Sequence, residues 1–156
     1  MKTSVLIIAH NEEKYIEKCI NSIMKQTVKP DEIVLVVHNS TDRTLEIAEK
    51  YAINIASFSG PKGVVYARIE GLKHLTGDII LCIDGDSEAQ PNWIEIMTET
   101  LKCDNSTLVG SWVKFRGTFY GWINNLYNKT RCIRETDAVA RWIWGPSFAF
   151  WGEDKD

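Results

Sequence analysis

The sequence lacks a long hydrophobic run, a cysteine pair and an excess of basic residues. Its longest uncharged apolar-rich stretch, residues 142–152, is far shorter than the roughly 20 residues of a membrane-spanning helix. The four cysteines form no C-x-x-C pair and show no zinc-ligand spacing to a histidine. The 18 Lys and Arg residues stand against 21 Asp and Glu residues, which argues against a nucleic-acid partner. We therefore expect no membrane span, buried free thiols in a reducing cytoplasm, and no nucleic-acid binding.

Three common enzyme motifs are also missing. The first apolar run is not followed by G-x-G-x-x-G, and G-x-x-x-x-G-K-[ST] occurs nowhere in the sequence. Residues 145–149 read Gly-Pro-Ser-Phe-Ala, one residue away from the G-x-S-x-G motif of hydrolases. That motif needs a histidine later in the chain, and none follows. These absences exclude a dinucleotide fingerprint, a P-loop and a hydrolase nucleophile.

The residues that are present alternate between two periodicities. Apolar runs rich in β-branched residues predict strands at residues 4–9, 33–37, 53–58, 79–83 and 108–115. Apolar residues at helical spacing predict helices over residues 15–24, 44–51, 65–75 and 91–101. This order is typical of an α/β fold with a mainly parallel, Rossmann-like sheet flanked by helices. A ligand is then expected beyond the carboxyl ends of the strands.

The segment Asp84-Gly85-Asp86 offers the most specific chemistry. It places two carboxylates, one residue apart, at the end of a buried apolar run. Carboxylate oxygens suit hard cations such as Mg²⁺ or Mn²⁺, and a cation there would bridge to a diphosphate. Gly85 would let the backbone approach that ligand closely. The same tripeptide is also common in solvated turns, so the residues alone leave both interpretations open.

Several segments, taken in order, resemble family 2 glycosyltransferases of the GT-A (nucleotide-diphospho-sugar transferase) fold. Residues 5–13 resemble the first strand and nucleotide loop of that family. Thr27 after Gln26, and Ser40-Thr41-Asp42 after the second strand, match its pattern. A central block resembles the approach to its D-x-D motif and comprises Ala67-Arg68, Gly71, Gly77-Asp78 and Asp84-Gly85-Asp86. The resemblance covers residues 1 to about 113.

The resemblance implies metal-dependent transfer of a sugar, with inversion, from a nucleotide-diphosphate donor to a saccharide or other hydroxyl acceptor. The donor would be a UDP-sugar by family habit. The cofactor would be Mg²⁺ or Mn²⁺, with Asp86 as the direct ligand and Asp84 binding the ribose and the metal. The implied nucleotide-sugar-binding residues are Ala9, His10, Asn11, Glu12, His38, Asn39, Arg68, Asp84 and Gly85. Without the resemblance, Arg68 could equally be a cation on a helix surface and His10 a turn residue.

The chain departs from the family pattern in two places. After the second strand the family carries an acidic residue and a glycine, whereas this chain has His38 and Asn39 in a loop one residue shorter. Asn39 could bond a base edge and His38 could stack on it, while Asp42 is expected to cap a helix. The family's late Glu-Asp, whose Asp is the catalytic base, corresponds poorly to Glu153-Asp154, because the loop expected before it is missing. The base therefore stays unassigned, with Asp154 as a weak candidate.

We expect one GT-A-like domain over residues 1–156, truncated at its carboxyl end. Residues 1–113 would form the nucleotide-sugar-binding half, and residues 114–156 an incomplete acceptor half. Tryptophans in the second half favour core packing, a sugar platform or a peripheral contact with the inner face of the membrane. Two alternative functions stay open at this point, a sugar-phosphate nucleotidyltransferase and a non-catalytic nucleotide-sugar-binding remnant.

Overall fold

The computed structural model describes residues 1–103, 108–110 and 147–152. The strands are β1 (Thr3–Ala9), β2 (Glu32–His38), β3 (Asn54–Phe58), β4 (Ile79–Asp84), β5 (Leu108–Gly110) and β6 (Ser147–Trp151). The helices are α1 (Ile16–Met24), α2 (Thr44–Ala48), α3 (Val64–Leu72) and α4 (Trp93–Cys103). The predicted β-α alternation is therefore confirmed through α4. The predicted strand over residues 108–115 is described only at Leu108–Gly110.

The six strands form one sheet in the order β3-β2-β1-β4-β6-β5. Strands β1 to β4 pair in parallel, and β6 runs antiparallel to both β4 and β5. The chain moves outward from β1 through β2 to β3 and then returns to place β4 on the other side of β1. The strand order therefore reverses between β1 and β4, and the carboxyl ends of these strands diverge there.

Side chains of the buried strands alternate between two cores. Val5, Ile7 and Leu35 face the buried side of α1, which contributes Ile16, Cys19, Ile20 and Ile23. Leu6, Ile8 and Val36 face α3 on the opposite side of the sheet. Gly71 lets α3 approach closely, because a Cβ at that position would lie 2.4 Å from Leu6 Cδ1. The central strands are thus buried on both faces, as continuous apolar runs predict.

The helix ends differ from the predicted ones by a few residues. Helix α2 ends at Ala48 rather than at residue 51, and α3 ends at Leu72 rather than at residue 75. After each end the backbone closes in three-residue turns, such as Tyr51 N–H to the Ala48 carbonyl and Leu75 N–H to the Leu72 carbonyl. Apolar residues in such turns still face the core, so their spacing extends beyond the helix itself.

Two findings concern the cysteines and the helices. Cys19 and Cys82 are free and buried, as their apolar surroundings predict. Burial raises the pKa of both thiols, to about 12 at Cys82, which keeps them protonated. Within residues 1–103, 108–110 and 147–152, no helix has the length and apolar character needed to cross a membrane.

Candidate functional site

A cleft of about 660 Å³ opens at the carboxyl edge of the parallel strands, at the point where the strand order reverses. This is where ligands bind in open α/β sheets. Its lining comes from the loops after β1, β2, β3 and β4. The lining residues are Ile8, His10, Asn11, Glu12, His38, Asn39, Thr41, Lys62, Gly63, Val64, Asp84, Gly85 and Asp86. The cleft therefore gathers seven of the nine predicted nucleotide-sugar-binding residues and both predicted metal ligands.

Side-chain hydrogen bonds join the loop after β1 to the loop after β2. The Asn11 carbonyl oxygen Oδ1 accepts from the Thr41 backbone N–H at 2.8 Å, and Ser40 Oγ accepts from the Asn11 N–H at 3.1 Å. Asn11 has a φ of 57°, a left-handed conformation that asparagine tolerates better than most residues. These bonds give the floor of the cleft a fixed shape.

Asp42 also joins the loop after β2 to the loop after β1 through hydrogen bonds. Its carboxylate accepts from the backbone N–H groups of Glu13 and Thr44, each at 3.0 Å. The N-cap position of α2 itself belongs to Arg43, which makes no side-chain cap bond. Asp42 therefore binds an N–H at the start of α2 from one position earlier, and it also holds the first loop against the second.

His38 and Asn39 are both engaged with protein atoms. The His38 ring is 5% exposed and stacks on Phe58, with 5.3 Å between ring centroids. The Asn39 amide donates to the Gly60 carbonyl at 2.9 Å and accepts from the Gly60 N–H at 3.2 Å. Both residues line the cleft, but the Asn39 side chain fastens the loop after β3 rather than presenting a free edge. The His38 carbonyl accepts a hydrogen bond from His10 Nδ1 at 2.7 Å.

The loop after β3 adds Lys62, Gly63 and Val64 to the lining, and none of the three is among the predicted site residues. Strand β3 is parallel to β2, so the loop that follows it emerges at the same edge of the sheet. The signal was the turn Gly60-Pro61-Lys62-Gly63 after a predicted strand. Gly63 has a φ of 135°, which residues with a side chain rarely adopt.

Asp84, Gly85 and Asp86 form the wall of the cleft at the end of β4. The Gly85 N–H donates to the Ile8 carbonyl at 2.7 Å, and a Cβ on Gly85 would lie 3.0 Å from Ala9 Cβ. Glycine therefore favours the close approach of this turn to β1, because a side chain there would crowd Ala9 and the Ile8 carbonyl. Ala9 is buried behind Gly85, so the structure places it next to the cleft but not in its lining.

Arg68 also lies behind the wall rather than in the lining. Its Nη2 contacts Asp84 Oδ1 at 3.2 Å, and its guanidinium carbon lies 5.0 Å from the centre of the Phe148 ring. A helix-surface cation in water would not show these contacts. Arg68 thus supports Asp84 from behind.

The carboxylates of the cleft are not fully balanced by the cations around them. Burial raises the pKa of Asp84 above its usual value; Arg68 opposes that rise without cancelling it, and Asp86 adds to it. Burial likewise raises the pKa of Glu12, and the nearby charges of Asp86 and Asp42 raise it further. A bound cation would relieve this mutual repulsion.

The described residues fit a divalent cation only together with a phosphate ligand. In the described parts of the chain, no group of three or more His, Cys, Asp or Glu side chains could hold a metal ion. Asp84 and Asp86 supply at most two carboxylates. Mg²⁺ is commonly held by one or two carboxylates, with substrate phosphates and water completing its shell. The donor set therefore suits a cation that arrives with a diphosphate.

Two predicted features lie outside the described residues. Asp154, the weak candidate for the base, is one of them. The tryptophans at 112, 122, 142 and 144 are the others. The roles assigned to these residues stay predictions.

Comparisons of sequence give a consistent family. The sequence model of the family described as "Glycosyl transferase family 2" matches residues 4–155. The cholesterol galactosyltransferase of Borreliella burgdorferi is 35% identical over 114 residues, which is 70% of this chain and 32% of that protein. The dolichol-phosphate mannosyltransferase of Pyrococcus furiosus is 32% identical over 116 residues, 71% of this chain and 33% of that protein. The chain spans about a third of the length of these curated relatives.

Comparisons of structure agree with the sequence match. S. aureus TarS in complex with UDP-GlcNAc has a TM-score of 0.59 at 30% identity, covering 76% of this chain and 37% of TarS. Glucosyl-3-phosphoglycerate synthase from Mycobacterium tuberculosis, in complex with Mn²⁺, UDP-Glc and phosphoglyceric acid, has a TM-score of 0.72 at 24% identity. The match covers 97% of this chain and 57% of that enzyme, and at this identity the likeness shows the fold alone. This chain belongs to glycosyl transferase family 2 and has the GT-A fold.

Proposed function

We propose that the cleft binds the nucleotide part of a UDP-sugar together with a divalent cation. We further propose that the protein transfers the sugar, with inversion, to a saccharide or another hydroxyl acceptor. The observation that carries the proposal is the position of Asp84-Gly85-Asp86 at the strand-order reversal, facing Glu12 across a cleft with an excess of carboxylates. A nucleoside diphosphate with its cation supplies the positive charge and the phosphate oxygens that this site lacks.

The chain's own residues divide the cleft between them. Asp86 and Asp84 would hold the cation, and Arg68 would keep Asp84 in place. Residues 10–12 would contact the nucleoside, with Ala9 behind them and His38 and Asn39 forming the side of the cleft next to them. Lys62 would lie near the phosphates, since it lines the same cleft. Mg²⁺ or Mn²⁺ bound at such a site offsets the charge that develops on a leaving diphosphate.

The comparisons support sugar transfer and a uridine nucleotide. The matched family is one of glycosyl transferases, which favours sugar transfer over nucleotidyl transfer. TarS is solved with UDP-GlcNAc, and the mycobacterial synthase with Mn²⁺ and UDP-Glc. The named relatives act on different acceptors, as their names state, so we propose no particular acceptor. The catalytic base also stays unassigned, with Asp154 as the weak candidate.

Titration of nucleotides against the purified protein tests the proposal. UDP, GDP and TDP are titrated by calorimetry with and without Mn²⁺, on the wild type, Asp86→Ala and Glu99→Ala. Glu99 is an exposed carboxylate on α4, outside the cleft lining, and serves as the matched control. We expect Mn²⁺-dependent UDP binding that Asp86→Ala removes and Glu99→Ala preserves. A wild type that binds no nucleotide in a metal-dependent way would overturn the proposal.

A second assay separates binding from turnover. Incubation with UDP-GlcNAc or UDP-Glc and Mn²⁺ should release UDP when an acceptor is present. Nucleotide binding without turnover would instead support the nucleotide-sugar-binding remnant. Release of pyrophosphate from a sugar 1-phosphate and a nucleoside triphosphate would support nucleotidyl transfer.

Three broader features accompany the proposal. We propose that residues 1–113 form the donor half and that residues 114–156 belong to an acceptor half. The reduced thiols of Cys19 and Cys82 fit a cytoplasmic location. Peripheral contact with the inner face of the membrane stays a prediction, since the tryptophans behind it mostly lie outside the described residues.

A further inference from the structure

The segment that follows Asp86 is fastened to the end of α1 by three consecutive residues. The Ala89 N–H donates to Ser22 Oγ at 3.0 Å, and the Gln90 carbonyl accepts from Gln26 Nε2 at 2.7 Å. The Pro91 carbonyl accepts from the Thr27 N–H at 2.7 Å. Residues 89–91 are therefore held by hydrogen bonds to residues 22–27, and Ala89 also packs against the core that contains α1.

Gln26 is the central residue of this contact between residues 22–27 and residues 89–91. It is only 2% exposed, and both its amide nitrogen and its amide oxygen are hydrogen-bonded. Nε2 donates both to Gln90 and to the Ser22 carbonyl at 3.0 Å. Oε1 accepts from the Ile94 N–H at 3.0 Å, in the first turn of α4, where backbone donors lack partners within the helix. A buried amide is costly unless it is bonded in this way, so the Gln26 side chain fixes both the loop and the start of α4.

The other end of the loop is fixed by the sheet. The Gly85 N–H donates to the Ile8 carbonyl, and the Ser87 N–H donates to the Asp84 carbonyl at 3.0 Å. Only residues 85–88 separate Asp84 from Ala89, the first residue that is bonded to residues 22–27. Asp86 is exposed in the middle of that short span and lines the cleft. Its position therefore depends on both anchors.

We propose that Gln26 is a positioning residue for Asp86, which sets the carboxylate where it can bind a cation carried by a nucleoside diphosphate. The inference rests on the proposed function, because it assumes that Asp86 binds that cation. Gln26 itself does not line the cleft. It acts through residues 89–91, and its loss would let the Asp86 loop shift while the β4 anchor stays in place.

The test compares Gln26→Met with Thr98→Val. Methionine keeps the length of the side chain but removes all three hydrogen bonds. Thr98 is also buried, and its hydroxyl donates to the Ile94 carbonyl inside α4, so Thr98→Val removes a buried hydrogen bond without touching the loop. We expect Gln26→Met to weaken UDP binding in Mn²⁺ by about 10- to 100-fold, the usual effect of losing a residue that orients a metal ligand. Metal-free UDP binding should be unchanged, and Thr98→Val should bind UDP as the wild type does.

A double variant distinguishes positioning from general loosening of the fold. In the Asp86→Ala background only metal-independent UDP binding is expected to remain, and adding Gln26→Met should leave it unchanged, because the residue that Gln26 positions is gone. Weakening of that metal-independent binding by Gln26→Met would indicate general loosening of the fold and would overturn the inference. Hydrogen exchange at the Ala89 amide gives a readout independent of ligand, and it should be faster in Gln26→Met than in Thr98→Val.

The remaining outcomes are also decisive. If Gln26→Met does not fold, Ser22→Ala removes the neighbouring bond to Ala89, and it should weaken Mn²⁺-dependent binding in the same direction. Metal-dependent binding in the wild type that is unaffected in the Gln26 and Ser22 variants would overturn the positioning role alone. A wild type without metal-dependent UDP binding would overturn the proposed function, and the positioning role with it.

Discussion

At the scale of single residues, Arg68 connects α3, β4 and β6 at the edge of the cleft. Its guanidinium is paired with Asp84 and lies over the ring of Phe148. The side chains of Arg68 and Asp84 are 25% and 33% exposed, so water screens the pair only in part. Removing one partner of such a pair costs more stability than the attraction between the two charges contributes, because the Asp84 carboxylate would stay partly buried without a charged partner.

Replacement of Arg68 by Met should destabilise the protein by about 1 to 2 kcal/mol in urea unfolding, because a partly buried carboxylate loses its charged partner. Methionine also removes the cation–π contact with the Phe148 ring, which contributes to the expected loss. The matched control is Arg43→Met, which breaks the pair with Glu46 whose side chains are 67% and 59% exposed. That variant should cost less than about 0.5 kcal/mol. Equal losses in the two variants would contradict the role assigned to Arg68.

At the scale of elements, the loop between β3 and α3 reaches the cleft because Asn39 holds it there. The Asn39 amide makes two hydrogen bonds with the Gly60 backbone, two residues before Lys62. Asn39 itself has a φ of 49°, a left-handed backbone conformation that asparagine tolerates better than most residues. The position that the family resemblance associates with base recognition thus serves here to place a neighbouring loop.

Asn39→Gly isolates this contact, because glycine accepts the left-handed backbone while the two side-chain bonds are lost. We expect hydrogen exchange at the Gly60 amide to become about fivefold faster, as for the loss of one hydrogen bond of about 1 kcal/mol. Asn11→Gly is the matched control, since Asn11 has a similar φ of 57° and bonds to Thr41 rather than to Gly60. Equal exchange at Gly60 in both variants would rule out the contact as the cause.

Sequence patterns predict some elements much better than others, for a physical reason. Apolar runs predict β1 to β4 to within one residue at either end. Strands β1, β2 and β4 are largely buried, and burial on both faces leaves a continuous apolar signature, whereas the edge strand β3 is only partly buried. The entry of β6 between β4 and β5 has no local signal, since it depends on pairing between residues far apart in the chain. Helix ends are predicted less well, because apolar residues in the closing turns still face the core.

At the scale of the whole molecule, the sequence predicts the walls of the cleft but not its closing loop. Polar residues after β1, β2 and β4 are found together because parallel strands end at one edge of the sheet. Lys62 escapes the prediction because the loop after β3 carries few chemical groups and no recognised motif. Ala9 and Arg68 lie just behind the lining, and only packing around Gly85 and Asp84 reveals their depth.

The opposite edges of the sheet differ in how they hold carboxylates. At the cleft, burial and the charges of Asp86 and Asp42 raise the pKa of Glu12. At the amino edge, burial favours a higher pKa for Glu32, but hydrogen bonds from Ser4 Oγ and the Thr76 N–H outweigh it and lower the pKa. Ionisation of Glu12 therefore opposes folding, whereas ionisation of Glu32 supports it.

Neutral substitutions at these two positions should shift stability in opposite directions. The ordinary pKa of both groups is 4.5. The raised pKa of Glu12 destabilises the folded protein at a pH above that pKa, and it has no effect once Glu12 is protonated in both the folded and the unfolded state. Glu12→Gln should therefore raise the melting temperature at about pH 7, and this gain should disappear as the pH falls to about 4. The lowered pKa of Glu32 stabilises the folded protein above pH 4.5, and this stabilisation is lost as the pH falls through the pKa of the folded state. Glu32→Gln should therefore lower the melting temperature at about pH 7, and its melting temperature should approach that of the wild type in acid. Thermal unfolding in metal-free buffer measures both. A Glu12→Gln protein that melts below the wild type at about pH 7, by a difference that does not change with pH, would contradict the repulsion assigned to the Glu12 carboxylate.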